Sequence, residues 1–228
     1  MKPLVLAVAL ALSAPLASVV VPAEAATKAA NAPASQAPAS PAWVERSNSL
    51  AQILLKAQAE FQPENIGFWG VTGYDDKAVD LGPKRGERYR AALTKARATL
   101  QQQLELERDA DVRQDLRILI DAASQEIEGS ELNEKYLLPW MDVPQAVFGG
   151  LNTLLSDQVP QERRVLALQR IKRYAGLLPG STPLATQARD RYTERLGQAE
   201  LLQPTKIEVQ QSLDNVQTYI DGIDQLLK

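Results

Sequence analysis

A sequence with no histidine and no cysteine leaves carboxylates as the first candidates for chemistry. Glu126, Glu128, Glu131 and Glu134 stand close together, and cleavage of a glycosidic bond needs two carboxyl groups a set distance apart. Nothing in their spacing selects a pair, so solvated charge near a helix end is the stronger interpretation. Asp109, Asp111 and Asp115 open like a calcium-binding loop. Arg113 then occupies the fifth position, the sixth lacks glycine and the twelfth lacks glutamate, which favours helix capping. A serine nucleophile would find no histidine base and no Ser-x-x-Lys arrangement. The glycine patterns that cradle phosphates are missing too. Arg163, Arg164, Arg170, Lys172 and Arg173 suggest an anion site. Interleaved with apolar positions and nearby acids, they are expected to form a largely outward, solvated face. Trp69, Tyr74, Tyr136 and Trp140 could line a groove, although anchoring helix ends is the default role for such residues. No catalytic, cofactor-binding or metal-binding residue is assigned, and no cofactor is expected.

These residues sit on helices. Val112, Leu116, Leu119, Ile120, Ala123 and Ile127 recur at helical spacing, with Arg113, Asp115, Arg117 and Asp121 on the other face. Asp109 or Asp111 can cap this helix and Gly129 is placed to end it. The apolar run at residues 136–141 is expected to plug the core between helices. Before it, Trp43, Ser47, Leu50, Leu54, Ala57 and Phe61 form one seam, and Tyr89, Leu93, Ala96, Leu100 and Leu104 another, behind Pro83. Residues 62–82 read as a long loop held by Phe68, Trp69 and Tyr74. After it, Pro144 opens a short helix with Val147, Phe148, Leu151 and Leu154 inward, and Gly149-Gly150 implies close backbone packing or a kink there. Pro160 opens a helix with Val165, Leu168, Ile171 and Ala175 inward, and Leu184, Ala188, Tyr192 and Leu196 mark the next. Thr205 and Glu208 make a capping box. Beyond it Val209, Leu213, Val216, Ile220, Ile223 and Leu227 continue a four-three seam. With no strand alternation and no internal repeat, the expected fold is all-α, a multi-helix bundle of about six or seven helices.

The 228 residues are 45% hydrophobic and 23% charged, with a net charge of −3. So mild an acidity, without a basic stripe, excludes a nucleic-acid surface. Residues 1–25 have the form of a secretory signal: Lys2, an apolar stretch at 4–12, and Ala23-Glu24-Ala25 as the cleavage site. An uncleaved anchor is the alternative, against which Ser13, Pro15 and Ser18 interrupt the apolar run. Residues 26–42, rich in Ala, Pro and Ser, cannot bury a core and are expected to be a disordered linker. Residues 43–228 form the expected helical domain. The implied location is periplasmic or secreted, with no stable membrane insertion once the signal is removed.

Several segments carry a family resemblance: Phe61-Gln62-Pro63-Glu64; Gly73-Tyr74-Asp75-Asp76 leading to Asp80-Leu81-Gly82-Pro83; Asp115-Leu116-Arg117-Ile118-Leu119; Asn133-Glu134-Lys135-Tyr136-Leu137-Leu138-Pro139; and Gln203-Pro204-Thr205-Lys206. In these the chain from about Trp43 onward resembles the N-terminal part of a large, often exported bacterial family, domain of unknown function 885. Members are mostly helical, usually more than twice as long, and look like zincin-type metallopeptidases. The resemblance implies a His-Glu-x-x-His zinc site far downstream of the matching region, and this sequence has no histidine to supply one. No metal ligand carries over.

The function expected is therefore that of an exported helical protein corresponding to the non-catalytic N-terminal part of the peptidase-like family, truncated or split, without activity of its own. The rival is an independent periplasmic binding or interaction module. A hydrolase working with carboxylates alone is the third possibility. The expected partner is a C-terminal catalytic half or a second copy of the chain, docked through Val209, Leu213, Val216, Ile220, Ile223 and Leu227.

Overall fold

The computed structural model describes residues 41–69 and 71–228. The expected signal segment and all but the last two residues of the expected linker lie outside this range. The helices in chain order are α1 (Ala42–Ala59), α2 (Pro63–Phe68), α3 (Arg85–Leu106), α4 (Ala110–Tyr136), α5 (Val143–Leu155), α6 (Gln161–Arg164), α7 (Ala167–Tyr174), α8 (Leu184–Arg195) and α9 (Lys206–Leu226). The fold is an all-α bundle, with no strand among the described residues beyond one isolated parallel bridge between Leu137 and Leu202. No described helix is long and apolar enough to cross a membrane.

The apolar stripes of α1, α3 and α4 converge on one hydrophobic cluster. Leu54, Phe61, Tyr89, Leu93, Leu100, Val112, Leu116 and Ala123 are buried in it, with Leu119, Ile120 and Ile127 packed alongside. Full burial of each large aliphatic side chain stabilises by roughly 1.5–3 kcal/mol. The turn between α3 and α4 is closed by polar groups. Asp109 accepts hydrogen bonds from the amides of Asp111 and Val112, and Arg113 donates to the carbonyls of Leu104 (2.7 Å) and Glu107 (2.9 Å). Arg113 thus faces the α3 terminus rather than solvent and satisfies carbonyls that a helix end leaves without partners.

A second cluster lies among α5, α7, α8 and α9, around Leu151, Leu154, Ala167, Tyr174 and Leu184. Gly150 is where α5 meets α7: a Cβ there would stand 2.3 Å from the Tyr174 hydroxyl oxygen. Close packing, one of the two causes expected for the glycine pair, accounts for this member. Gly149 has open space around its Cβ position. On α9, Gly222 lets the Phe148 ring in, and Phe148 also meets Tyr219 with ring centroids 5.7 Å apart.

Four further expectations are corrected. Gly129 does not end α4, which runs on to Tyr136; the apolar stripe before it continues to hold the helix, and one glycine costs only about 1 kcal/mol. Residues 136–141 do not plug the core. Tyr136, Leu137 and Trp140 are exposed and only Leu138 is buried, while the backbone pairs with Leu202 through Leu138 N to Leu202 O and Leu202 N to Tyr136 O. The helix after Pro160 breaks into α6 and α7 and turns a different face inward. Val165 and Leu168 are exposed, whereas Ala167, Arg170 and Tyr174 are buried.

The fourth correction concerns the basic residues of this region, which are not a solvated face. Arg170 is 1% exposed and donates to the carbonyls of Lys77 (2.8 Å), Gly150 (3.0 Å) and Tyr74 (3.1 Å). Arg163 makes a two-pronged pair with Asp75, both contacts at 2.9 Å, and Arg173 donates to the carbonyl of Asp76. These three arginines hold the loop between α2 and α3. Two of the three aromatics expected to hold it do not: Phe68, at the end of α2, and Trp69 are exposed. A buried guanidinium is tolerated because its donors are used on backbone carbonyls.

Candidate functional site

A lateral cleft of about 1210 Å³ opens where the start of α3, the second half of α4, the end of α8 and residues 137–141 come together. Drug-sized ligands usually occupy roughly 300–1,000 Å³, so there is room for a larger or extended molecule. Tyr89 lies at its inner wall. Its hydroxyl donates to Glu126 Oε2 at 2.7 Å and accepts from Gln62 Nε2 at 3.2 Å. Its ring packs on Phe61, centroids 5.2 Å apart, below the Arg85 guanidinium at 5.7 Å. Burial first, and then the Glu126 carboxylate, push the phenol well above its ordinary value of 10.0. Tyr89 is a fixed hydrogen-bond donor at neutral pH, not a base.

The charged groups around it are unequally matched. Glu134 pairs with Arg90, and Arg191 with Glu194. Arg195 spends its donors on the Glu134 carbonyl (2.6 Å) and the Gln198 side chain (3.3 Å). Arg85 donates only to the Phe61 carbonyl, at 3.2 Å. Its buried Nε has no acceptor, and among the described residues it makes no ion pair. Burial is the main influence lowering its pKa. The mouth of the cleft carries Trp69 and Trp140, 60% and 41% exposed.

Of the acidic cluster weighed from the sequence, Glu126 and Glu134 line the cleft while Glu128 and Glu131 are exposed elsewhere on the helix. Eight residues of helix separate the Glu126 and Glu134 backbones by about 12 Å of rise. Their carboxylates are engaged separately, Glu126 by the Tyr89 hydroxyl and Glu134 by Arg90. Of the aromatic residues, Trp69 and Trp140 come together on the cleft. Tyr136 does not line it and has the Lys135 ammonium 4.8 Å from its ring, and Tyr74 belongs to the clasped loop. Asp109 is a helix cap, as expected. Arg85, Arg191 and Arg195 carry no site signal in the sequence, and Gln62 enters only through a segment that carries the family resemblance. Only the three-four spacing of Arg191, Glu194 and Arg195 places those three on one helix face in advance.

A smaller cavity of about 390 Å³ adjoins Glu64, Asp75, Arg163 and Arg170. Its polar groups are engaged with one another: Glu64 accepts from Tyr174 (2.8 Å) and the Val79 amide (2.9 Å). The zinc implied by the family resemblance does not fit this chain. The sequence has neither histidine nor cysteine, and among the described residues no three acidic groups gather as a metal site would require.

Helices, clefted wall and arginine-held loop together define an all-helical protein with a large side opening. The chain belongs to the family of bacterial proteins of unknown function designated DUF885, whose model matches residues 63–228. No match was found among curated proteins or among solved structures.

Proposed function

We propose that the protein is an exported, non-catalytic binding module that holds its ligand in the cleft between Trp69 and Trp140. The observation that carries this reading is the pair of tryptophans left partly exposed on a large, preformed cavity. Large aromatic rings left exposed at a cavity are typical of surfaces that take up a partner molecule. The residues inside support binding rather than turnover: Tyr89 is held protonated, Glu126 accepts its hydroxyl, and Glu134 is paired with Arg90. Export is supported by the signal-like pattern of residues 1–25. Likeness to the N-terminal portion of zincin-like peptidases supports a role as the wall of a substrate cleft, without the zinc chemistry.

Binding of the uncharged fluorophore N-phenyl-1-naphthylamine tests the cleft. Trp69→Ala and Trp140→Ala should each weaken it severalfold at unchanged helix content. Equal binding by wild type and both variants would refute a ligand site there. Stoichiometric zinc together with chelator-sensitive peptidase activity in the pure protein would refute the non-catalytic part. An exported chain retaining Met1, rather than starting at Ala26, would refute signal cleavage.

A second reading concerns α9. Its seam is divided: Val209, Val216 and Ile223 are half-buried, while Leu213, Ile220 and Leu227 are exposed. Three large apolar side chains seven residues apart form a stripe suited to a second helix. We propose that a second copy or a catalytic partner docks on it.

A further inference from the structure

We propose that the ligand of the cleft is an anionic molecule with a flat apolar body, its negative group bound by Arg85 and its body lying against Trp69 and Trp140. The inference rests on the reading of the cleft as a binding site and adds the chemical class of what it takes. Arg85 belongs to the cleft wall, its Nε is buried without an acceptor, and its one hydrogen bond goes to a neutral carbonyl. A buried cationic donor without a partner is costly, and a carboxylate, sulfonate or phosphate removes that cost by supplying charge and acceptor oxygens together.

Carboxylates of the protein are not free to do so. The acids whose charge acts on Arg85 are Asp80 and Glu64. Asp80 is taken by Arg88 at 3.0 Å and the Gly82 amide at 2.7 Å. Glu64 is taken by Tyr174 and the Val79 amide. Glu126, on the facing helix, already accepts from Tyr89. Arg85 therefore stands in the wall of a cavity in which each nearby carboxylate has a partner. The opposite requirement is met at the mouth, where the indoles offer apolar faces to a planar body.

The test compares two probes that differ by one charge. 8-Anilinonaphthalene-1-sulfonate is N-phenyl-1-naphthylamine with a sulfonate added, so the pair isolates what Arg85 recognises. Titrations use the full exported chain carrying Leu213→Ser and Ile220→Ser, which removes the exposed α9 stripe as a competing site. The sulfonate is expected to bind more tightly than the neutral probe, and Arg85→Met to weaken the sulfonate by at least about tenfold more than it weakens the neutral probe. Arg85→Lys, which keeps the charge, should retain most of the affinity, and circular dichroism of each variant reports whether the fold is intact. If both probes depend on Trp69 and Trp140 but Arg85→Met weakens them equally or not at all, the anion proposal is wrong and the binding cleft stands. If neither probe responds to loss of the tryptophans, the cleft reading itself fails, and this proposal with it.

Discussion

The Tyr174 hydroxyl donates to Glu64 Oε1 at 2.8 Å across 110 residues of chain, and it does so directly over the backbone of Gly150. Three elements, α2, α5 and α7, meet in that contact. Tyr174 is buried and its ring is rigid, so the hydroxyl has nowhere to retreat without giving up Glu64.

Gly150→Ala should therefore destabilise the protein by roughly 1–3 kcal/mol, because overpacking outweighs the gain of about 1 kcal/mol from replacing a helical glycine. Gly149→Ala, with open space at the Cβ position, should stabilise by up to about 1 kcal/mol. Thermal melts of both variants check the prediction. Shifts of the same sign would show that helix propensity, not the Tyr174 contact, governs this turn.

Arg170→Met removes the donor to the carbonyls of Lys77, Gly150 and Tyr74, of which Tyr74 keeps the Lys77 amide and Gly150 lies within α5. With one buried carbonyl left unpaired at about 1–3 kcal/mol and two charge-assisted bonds lost besides, a loss of at least about 2 kcal/mol is expected. Arg173→Ala, at a half-exposed ion pair with Asp76, should cost under about 1 kcal/mol beyond its carbonyl contact. Urea denaturation of the two variants measures the contrast, and similar midpoints would mean that the loop is not held by Arg170.

Glu107 is held at about 2, against an ordinary 4.5, first by the Asp109 amide and next by Arg46, with the Arg108 amide adding to them. A carboxylate whose pKa is lower in the folded than in the unfolded state stabilises the fold above the unfolded value and loses that contribution as pH falls toward the folded one. Stability should thus decline from about pH 4.5 to about pH 2, and Glu107→Gln should flatten that part of the profile while lowering stability at neutral pH. Chemical denaturation across this range decides it. An unchanged slope in the variant would assign acid sensitivity to other groups.

Ile220→Asp should abolish association through α9 without reducing helix content, since Ile220 is exposed on the chain by itself. Light scattering and circular dichroism on both forms give the answer. A wild-type monomer that binds no partner and unfolds on substitution would place the side chain in the core instead.

The parts of the fold legible in the sequence are those where neighbours along the chain decide the outcome. Leu93, Leu100, Val112 and Leu116 recur at helical spacing and are buried. Thr205 and Glu208 make their reciprocal cap. Arg170 was misplaced because periodicity assigns apolar residues to the core, and its acceptors come from segments distant in sequence. Similar reasoning applies to the cleft. Trp69 and Trp140 stood out as residue types, but only the packing of α2 and the chain after α4 makes them neighbours on one opening. Arg85 gave no signal at all, because an unfilled donor is a property of its surroundings.

The parallel bridge between Leu137 and Leu202 makes one piece of two strands of backbone, the lip that carries Trp140 and the lead into α9. A load on α9 is thereby mechanically connected to the cavity mouth by two backbone hydrogen bonds. Any occupant of α9 that shifted Leu202 would have to break them or drag the lip along. By reciprocity, a ligand that tightened the lip would alter the affinity of α9 for that occupant by the same factor.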